Sequence, residues 1–191
     1  MRATKLYATG DIRTVDVDVP SPAKNEILIK VEATGICGTD RHLYHGEFPS
    51  VPDKILGHEF LGGILGGIVV DSGEADIAKS VRVTCDPNTW CGACNQCQRG
   101  RVNLCLNNIA TGIHRDGGFA EFCGFPASKA IVLPNKINPF THERAAKIIA
   151  DGTINVSPLV SRNISIEEVA LAVASPPPKG EVRAIVVPNH D

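Results

Sequence analysis

Residues 91–105 read CGACNQCQRGRVNLC, placing the four thiols of Cys91, Cys94, Cys97 and Cys105 in a single short loop. Thiolates are soft, compact donors, and four from one loop complete a tetrahedron around Zn²⁺ with no position left for substrate. Such a site staples a chain and does not catalyse. Two other uses of the loop are open to the residues. The bacterial iron–sulfur run brings its fourth cysteine three residues after the third and follows it with proline. Here the fourth comes later and Leu106 follows it. Disulfides need an oxidising compartment, yet no charged-then-apolar signal segment opens the chain at Met1, and the total of 7 cysteines cannot all pair. The spacing therefore favours a structural zinc. Cys37, Cys85 and Cys123 lie outside the loop, and the last two read as small packed thiols.

Around this loop the composition is that of an ordinary domain. The 191 residues are enough for a substantial core without disulfide support. Lys plus Arg number 19 against 21 Asp plus Glu, so no basic surplus exists to neutralise nucleic acid or an anionic membrane. The longest apolar stretch, Gly62 to Val70, is studded with glycine and far shorter than a bilayer-spanning helix. A soluble chain located in the cytoplasm is expected.

The first third reads as short strands. Ile12, Val15, Val17 and Val19, then Ile27, Ile29 and Val31, place apolar residues mostly at two-residue spacing, with Thr9-Gly10-Asp11 and Pro20-Ser21-Pro22 as turns. Gly62-Gly63 and Gly66-Gly67 flank another apolar run that ends at Ile68-Val69-Val70. Towards the end, Ala145, Ala146, Ile148 and Ile149 share a helical face after Asn138-Pro139, and Gly152 would close that helix. A second helix is expected from Ser165, with Glu168 reaching back to the cap and Ile164 stapled onto Val169, until Pro176-Pro177-Pro178 stops it. Val182 to Val187 reads as a closing strand. The fold class is mainly β, barrel-like, with a small α/β tail. No two glycines stand at GxG spacing, so the dinucleotide fingerprint is absent, as is GxxxxGK[ST].

A second donor set comes from two separated segments, Gly35-Ile36-Cys37-Gly38-Thr39-Asp40-Arg41-His42 and Gly57-His58-Glu59. One thiolate, one imidazole and one carboxylate suit an open, catalytic zinc, although a packed Cys37 and a surface His58 without metal would account for the bare residue types. The two motifs in this order resemble the zinc-dependent medium-chain alcohol and polyol dehydrogenases, the sorbitol dehydrogenase group in particular. The likeness runs through GICGTDRHLYHGEFPSVPDKILGHEF, the DPN before the cysteine loop, GGFAEF at 117–122 and Leu133-Pro134, and resumes at NPFTHERAAKIIADGTINVSPLVSR.

The resemblance implies a GroES-like β-barrel domain whose excursion loop binds the structural zinc. It makes Cys37 and His58 catalytic zinc ligands and Glu59 the adjoining carboxylate, a ligand in some members and a neighbour in others. Thr39 would bond the substrate alcohol, His42 would end the proton relay to solvent, and Asp40 would orient His58. The implied cofactors are zinc and NAD(P), and the implied substrate is a small alcohol or polyol.

The chain also departs from that family. Only Asn135 to Ile137 separate Leu133-Pro134 from a segment that follows the Rossmann domain in relatives. Residues 1–191 are accordingly expected to be one catalytic domain built from 1–134 and 138–191, with the cofactor domain excised between them. The seam has the look of deliberate construction, a natural deletion being the alternative. Glu143, close to the seam, takes no ligand role, and His142 reads as a helix-start residue. The expected function is the zinc-binding catalytic domain of an NAD(P)-dependent alcohol or polyol dehydrogenase, unable to transfer hydride alone. The alternatives are a zinc-stapled scaffold with a relic pocket and a zinc hydrolase. Loss of the partner domain would leave apolar surface facing water, so a homo-oligomer is expected.

Overall fold

The computed structural model describes residues 1–49, 51–59, 66–132, 153, 155 and 157–188. The helix expected from Asn138 to Gly152, the Leu133-Pro134 seam, Gly62-Gly63, His142 and Glu143 lie outside the described residues.

One strand organises the rest. β3 (Glu26–Gly35) is buried along almost its whole length rather than on alternate residues, with Ile27, Ile29 and Val31 fully enclosed. Each such side chain contributes about 1.5–3 kcal/mol on leaving water. The strand has neighbours on both sides. β5 (Gly66–Asp71) pairs with it antiparallel through Leu28–Ala33, and β9 (Phe122–Pro126) pairs antiparallel with its first half. β6 (Arg82–Cys85) extends the sheet beyond β5, and β10 (Ala130–Val132) extends it beyond β6. At the far end of β3, β12 (Ala184–Val186) pairs antiparallel with Thr34 and Gly35, and β11 (Arg162–Ile164) lies parallel to β12. Segments from both sides of the 133–152 stretch therefore share one sheet.

A smaller sheet, β2-β1-β4, is built from β1 (Arg2–Ala8), β2 (Asp11–Asp16) and β4 (Lys54–Ile55). It is tied to the segment leading into β9, where the Thr4 amide donates to Phe119 O at 2.8 Å. Two clusters form the core. One gathers Leu6, Leu43, Leu56, Phe119, Ile164 and Val169. The other lines the large sheet with Ile27, Ile29, Val31, Val83, Phe125 and the thiols Cys85 and Cys123. Burial raises the pKa of both thiols, as inert packed cysteines require.

Several expected elements take shorter forms. The β2 run stops at Asp16, and Val19 is exposed, because Pro20 and Pro22 supply no amide to continue a ladder. The closing strand covers 184–186, leaving Val182 exposed. Ser165 and Glu168 do form the expected capping box, the Ser165 amide donating to Glu168 Oε2 at 2.8 Å. The first turn, Ile166–Glu168, is 3₁₀ and leads into a helix over Val169–Ala174 that ends before the prolines.

The glycines opening β5 are a steric requirement. A Cβ on Gly67 would lie 2.1 Å from Lys30 O, and one on Gly66 would lie 2.2 Å from Val83 O. No β-branched residue fits there, which explains the glycine pair in an otherwise apolar strand. Gly67→Ala should destabilise the fold by about 1–3 kcal/mol or more, read as a lower urea midpoint at unchanged slope. Gly124→Ala in β9 is the control, since its Cβ would meet nothing nearer than 4.0 Å, and its midpoint should hardly move.

Candidate functional site

The cysteine loop leaves the sheet after β6. A two-stranded ribbon of β7 (Asn88–Thr89) and β8 (Ile109–Ala110) forms its neck. Between the strands lie only a four-residue helix, α2 (Asn95–Gln98), and a 3₁₀ turn over Val102–Leu104, neither with a buried residue. The loop is fastened to the sheet where Lys129 Nζ lies 2.8 Å from the centre of the Trp90 ring, a cation–π contact made by a largely buried ammonium.

Within the loop the donor atoms of Cys91, Cys94, Cys97 and Cys105 all lie within 4.8 Å of one another. Backbone amides point at the sulfurs. The Cys91 amide donates to Cys105 Sγ at 3.3 Å and the Cys94 amide to Cys91 Sγ at 3.4 Å. Hydrogen bonds from the Ala93 and Cys94 amides pull the Cys91 thiol down to about 6, which favours the thiolate. Cys97 is pushed up to about 12 by burial and by its sulfur neighbours. Four converging thiolates repel one another unless a cation joins them, and the set fits a closed tetrahedral zinc.

The second group forms where β3 ends. Cys37 caps the N-terminus of α1 (Gly38–His45), an element the strand-like reading of this region did not foresee. Asp40, completely buried, performs two tasks with one carboxylate. Its Oδ2 accepts the Cys37 amide at 2.8 Å, and its Oδ1 lies 3.3 Å from His58 Nδ1. His58 follows β4 through Gly57, whose φ of 91° and contact with Phe119, 2.6 Å from where a Cβ would stand, leave room for no other residue. Glu59 is bridged back to Gly35 on β3.

The donor atoms of Cys37, His58 and Glu59 thus come within 4.8 Å of one another from two segments. Thr39 Oγ1 is 3.6 Å from Cys37 Sγ. His42 lies further out, exposed to solvent, with Nδ1 2.5 Å from Glu47 Oε2. Hydrogen bonding with His58, with help from Thr39, lowers the Cys37 pKa against the opposing effect of burial. Burial would depress His58, but Asp40 and Cys37 outweigh it and hold the imidazole well above its ordinary value.

These residues fit a zinc ion. The set mixes thiolate, imidazole and carboxylate, as zinc prefers. Asp40 Oδ1 and His58 Nδ1 are buried atoms facing each other without an aligned hydrogen bond. A metal on the other ring nitrogen would fix the proton on Nδ1 and satisfy both.

Sequence reasoning missed Arg183. It precedes β12, and the pairing of β12 with β3 delivers its guanidinium to the site, where it donates to Glu59 Oε2 and, at 3.4 Å, to Ile36 O. Glu59 is therefore committed to an arginine beside the candidate ion. A lone arginine ahead of a short apolar strand carries no local signature.

The alcohol dehydrogenase GroES-like domain matches residues 23–135. The starvation-sensing protein RspB of Escherichia coli K12 is 33% identical over 138 residues, which is 72% of this chain and 40% of that protein. L-Threonine 3-dehydrogenase of Aeromonas salmonicida is 36% identical over 138 residues, covering 70% of this chain and 40% of the enzyme. Among solved structures, a zinc-binding dehydrogenase candidate from Sinorhizobium meliloti 1021, bound to NADP, superposes with a TM-score of 0.89 at 27% identity, covering 98% of this chain and 99% of that one. The fold and its two cysteine-bearing motifs thus define a GroES-like domain. The chain belongs to the zinc-dependent medium-chain alcohol and polyol dehydrogenase family. It spans about 40% of the length of the curated relatives it matches. Among the described residues no helix is long and apolar enough to cross a membrane.

Metal binding at the cysteine loop has a definite pH sign. Protons compete for the same sulfurs, and Cys97, with its raised pKa, holds its proton most firmly, so zinc affinity should fall as pH is lowered. Titration from about pH 8 to about pH 5 with a chromophoric chelator should release this zinc steeply, and Cys97→Ser should shift the release to higher pH.

Proposed function

We propose that this chain is the zinc-binding catalytic domain of an NAD(P)-dependent dehydrogenase acting on a secondary alcohol or polyol, and that residues 1–134 and 138–191 form that single domain. The supporting observation is the convergence of Cys37, His58 and Glu59 within 4.8 Å, with Thr39 beside Cys37 and Asp40 behind His58. Cys37 and His58 would hold a zinc ion, which when bound supplies Lewis-acid polarisation of an alcohol oxygen. The remaining work falls to the chain itself. Asp40 keeps His58 in the tautomer that can ligate. Arg183 restrains Glu59. The Thr39 hydroxyl accepts the alcohol proton and passes its own onward, and His42 carries charge toward solvent.

The chain contains no GxG, so within these 191 residues the site has alcohol-binding groups without a dinucleotide cradle. A second reading is supported by the Sinorhizobium meliloti protein, which was solved with NADP and matches this chain along nearly its whole length. In that reading the chain itself contacts the dinucleotide. Exposed Leu171 and Val182 are apolar surface that a further domain or a second copy would cover.

Elemental analysis should find close to two zincs per chain, falling to one in Cys37→Ser. About one in both would leave only the cysteine staple and favour a scaffold. NAD⁺ with sorbitol or a simple secondary alcohol should give no steady NADH absorbance from the 191-residue chain. Turnover that disappears in Cys37→Ser, or saturable calorimetric binding of NADP⁺, would establish the second reading.

A further inference from the structure

Helix α1 carries Cys37, Thr39 and Asp40 at one end and a carboxylate–imidazole pair at the other. It closes in a Schellman arrangement, with left-handed Gly46 donating to Leu43 O at 3.2 Å and the Glu47 amide donating to His42 O at 2.9 Å. This cap turns Glu47 back over the last turn, where its Oε2 comes within 2.5 Å of His42 Nδ1. The opposite ring nitrogen faces the other way. His42 Nε2 is the nearest atom to where a Cβ on Gly38 would stand, at 4.0 Å, and Gly38 lies between Cys37 and Thr39.

The contact fixes which nitrogen of the neutral ring carries the hydrogen. A carboxylate only accepts, so the nitrogen it contacts must carry the hydrogen, and a neutral ring protonated on Nδ1 presents a bare lone pair on Nε2. Glu47 is available as the acceptor, since its hydrogen bond with His42 keeps its carboxyl below the usual range.

We propose that Glu47 is a positioning residue for the proton relay: it fixes the Nδ1–H tautomer of His42 and directs Nε2 at the turn bearing Cys37 and Thr39. This rests on the alcohol-site reading above. In the step, the O–H bond of the alcohol breaks to leave the alkoxide, its proton moves to the Thr39 hydroxyl, and the proton that Thr39 gives up passes through solvent to the ring. An N–H bond forms at His42 Nε2, and Glu47 stays ionised against the imidazolium. The proton then leaves Nε2 for solvent, which reaches the exposed ring. No oxidant is needed for this transfer.

Long-range ¹H–¹⁵N correlation on the zinc-loaded, ¹⁵N-labelled chain at about pH 8.5, where an unpaired imidazole is neutral, reads the tautomer directly. His42 is assigned by loss of its signals in His42→Asn. Wild type should show protonated Nδ1 and bare Nε2. Glu47→Ala keeps the backbone cap and should shift the ring toward protonated Nε2, whereas Glu47→Gln, whose amide oxygen still accepts, should retain the wild-type pattern. A structural pair would give the same spectra, so the relay needs a second measurement. Proton release on rapid mixing with trifluoroethanol, followed by a pH indicator, should be about tenfold slower in Glu47→Ala and near wild type in Glu47→Gln. A wild-type ring protonated on Nε2 would overturn the proposal. So would a two-zinc chain with no proton burst, or one whose Glu47→Ala variant is as fast as wild type. Finding a single zinc in the same samples would instead overturn the alcohol-site reading beneath it.

Discussion

A single buried carboxylate holds the candidate site together. Asp40 has no exposure to solvent, and a polar group in that position needs partners within the fold. One oxygen accepts the Cys37 amide and so starts helix α1; the other faces His58, whose ring also meets Cys37. Two segments some twenty residues apart are thereby locked in one orientation. Removing Asp40 would free both the helix start and the imidazole, so local folding and ligand geometry here depend on the same interaction. The protein cannot relax one without losing the other.

The position of that carboxylate is set in turn by β3. The strand runs through the sheet and ends at Gly35, where the donor segment begins. Glycines in β5 allow the neighbouring backbone to close on it, and β12 flanks its last residues from the other end of the sequence. The C-terminal segment therefore serves more than sheet completion. Through Arg183 it supplies the cation that holds Glu59, and the helix before it buries Val169 and Val173 in the cluster containing Leu43 of α1.

What could be read from the sequence follows the range of the forces involved. The cysteine loop was legible because its donors are local: intervals of three, three and eight residues keep all four sulfurs within one short loop. The convergence of Cys37 with His58 depends on tertiary structure, and only the order of two motifs shared with a known family made it readable. Arg183 was missed for the same reason, and Glu47 because helix α1 itself was not foreseen. One arrives through a strand pairing across most of the chain, and the other through a helix cap. Helix α1 was hidden because Gly38, Thr39 and Asp40 are weak helix formers. Its stability comes from Asp40 at one end and the Gly46 turn at the other. Strand β12 lies within the closing run read at 182–187, whereas β11, three residues long, owes its existence to pairing rather than to any periodicity.

The cysteine lobe has a further biological consequence. It contains a four-residue helix, a single 3₁₀ turn and no buried side chain in either, while Leu104, Leu106 and Ile109 face outward. Nothing apolar holds it shut, so its shape is borrowed from whatever ion its sulfurs share. A newly made chain that has not acquired that ion would present a slack segment, with Arg99 and Arg101 within it, to any protease that cuts after basic residues. The abundance of the protein would then track zinc supply through turnover of the polypeptide, independently of the candidate site at Cys37 and His58.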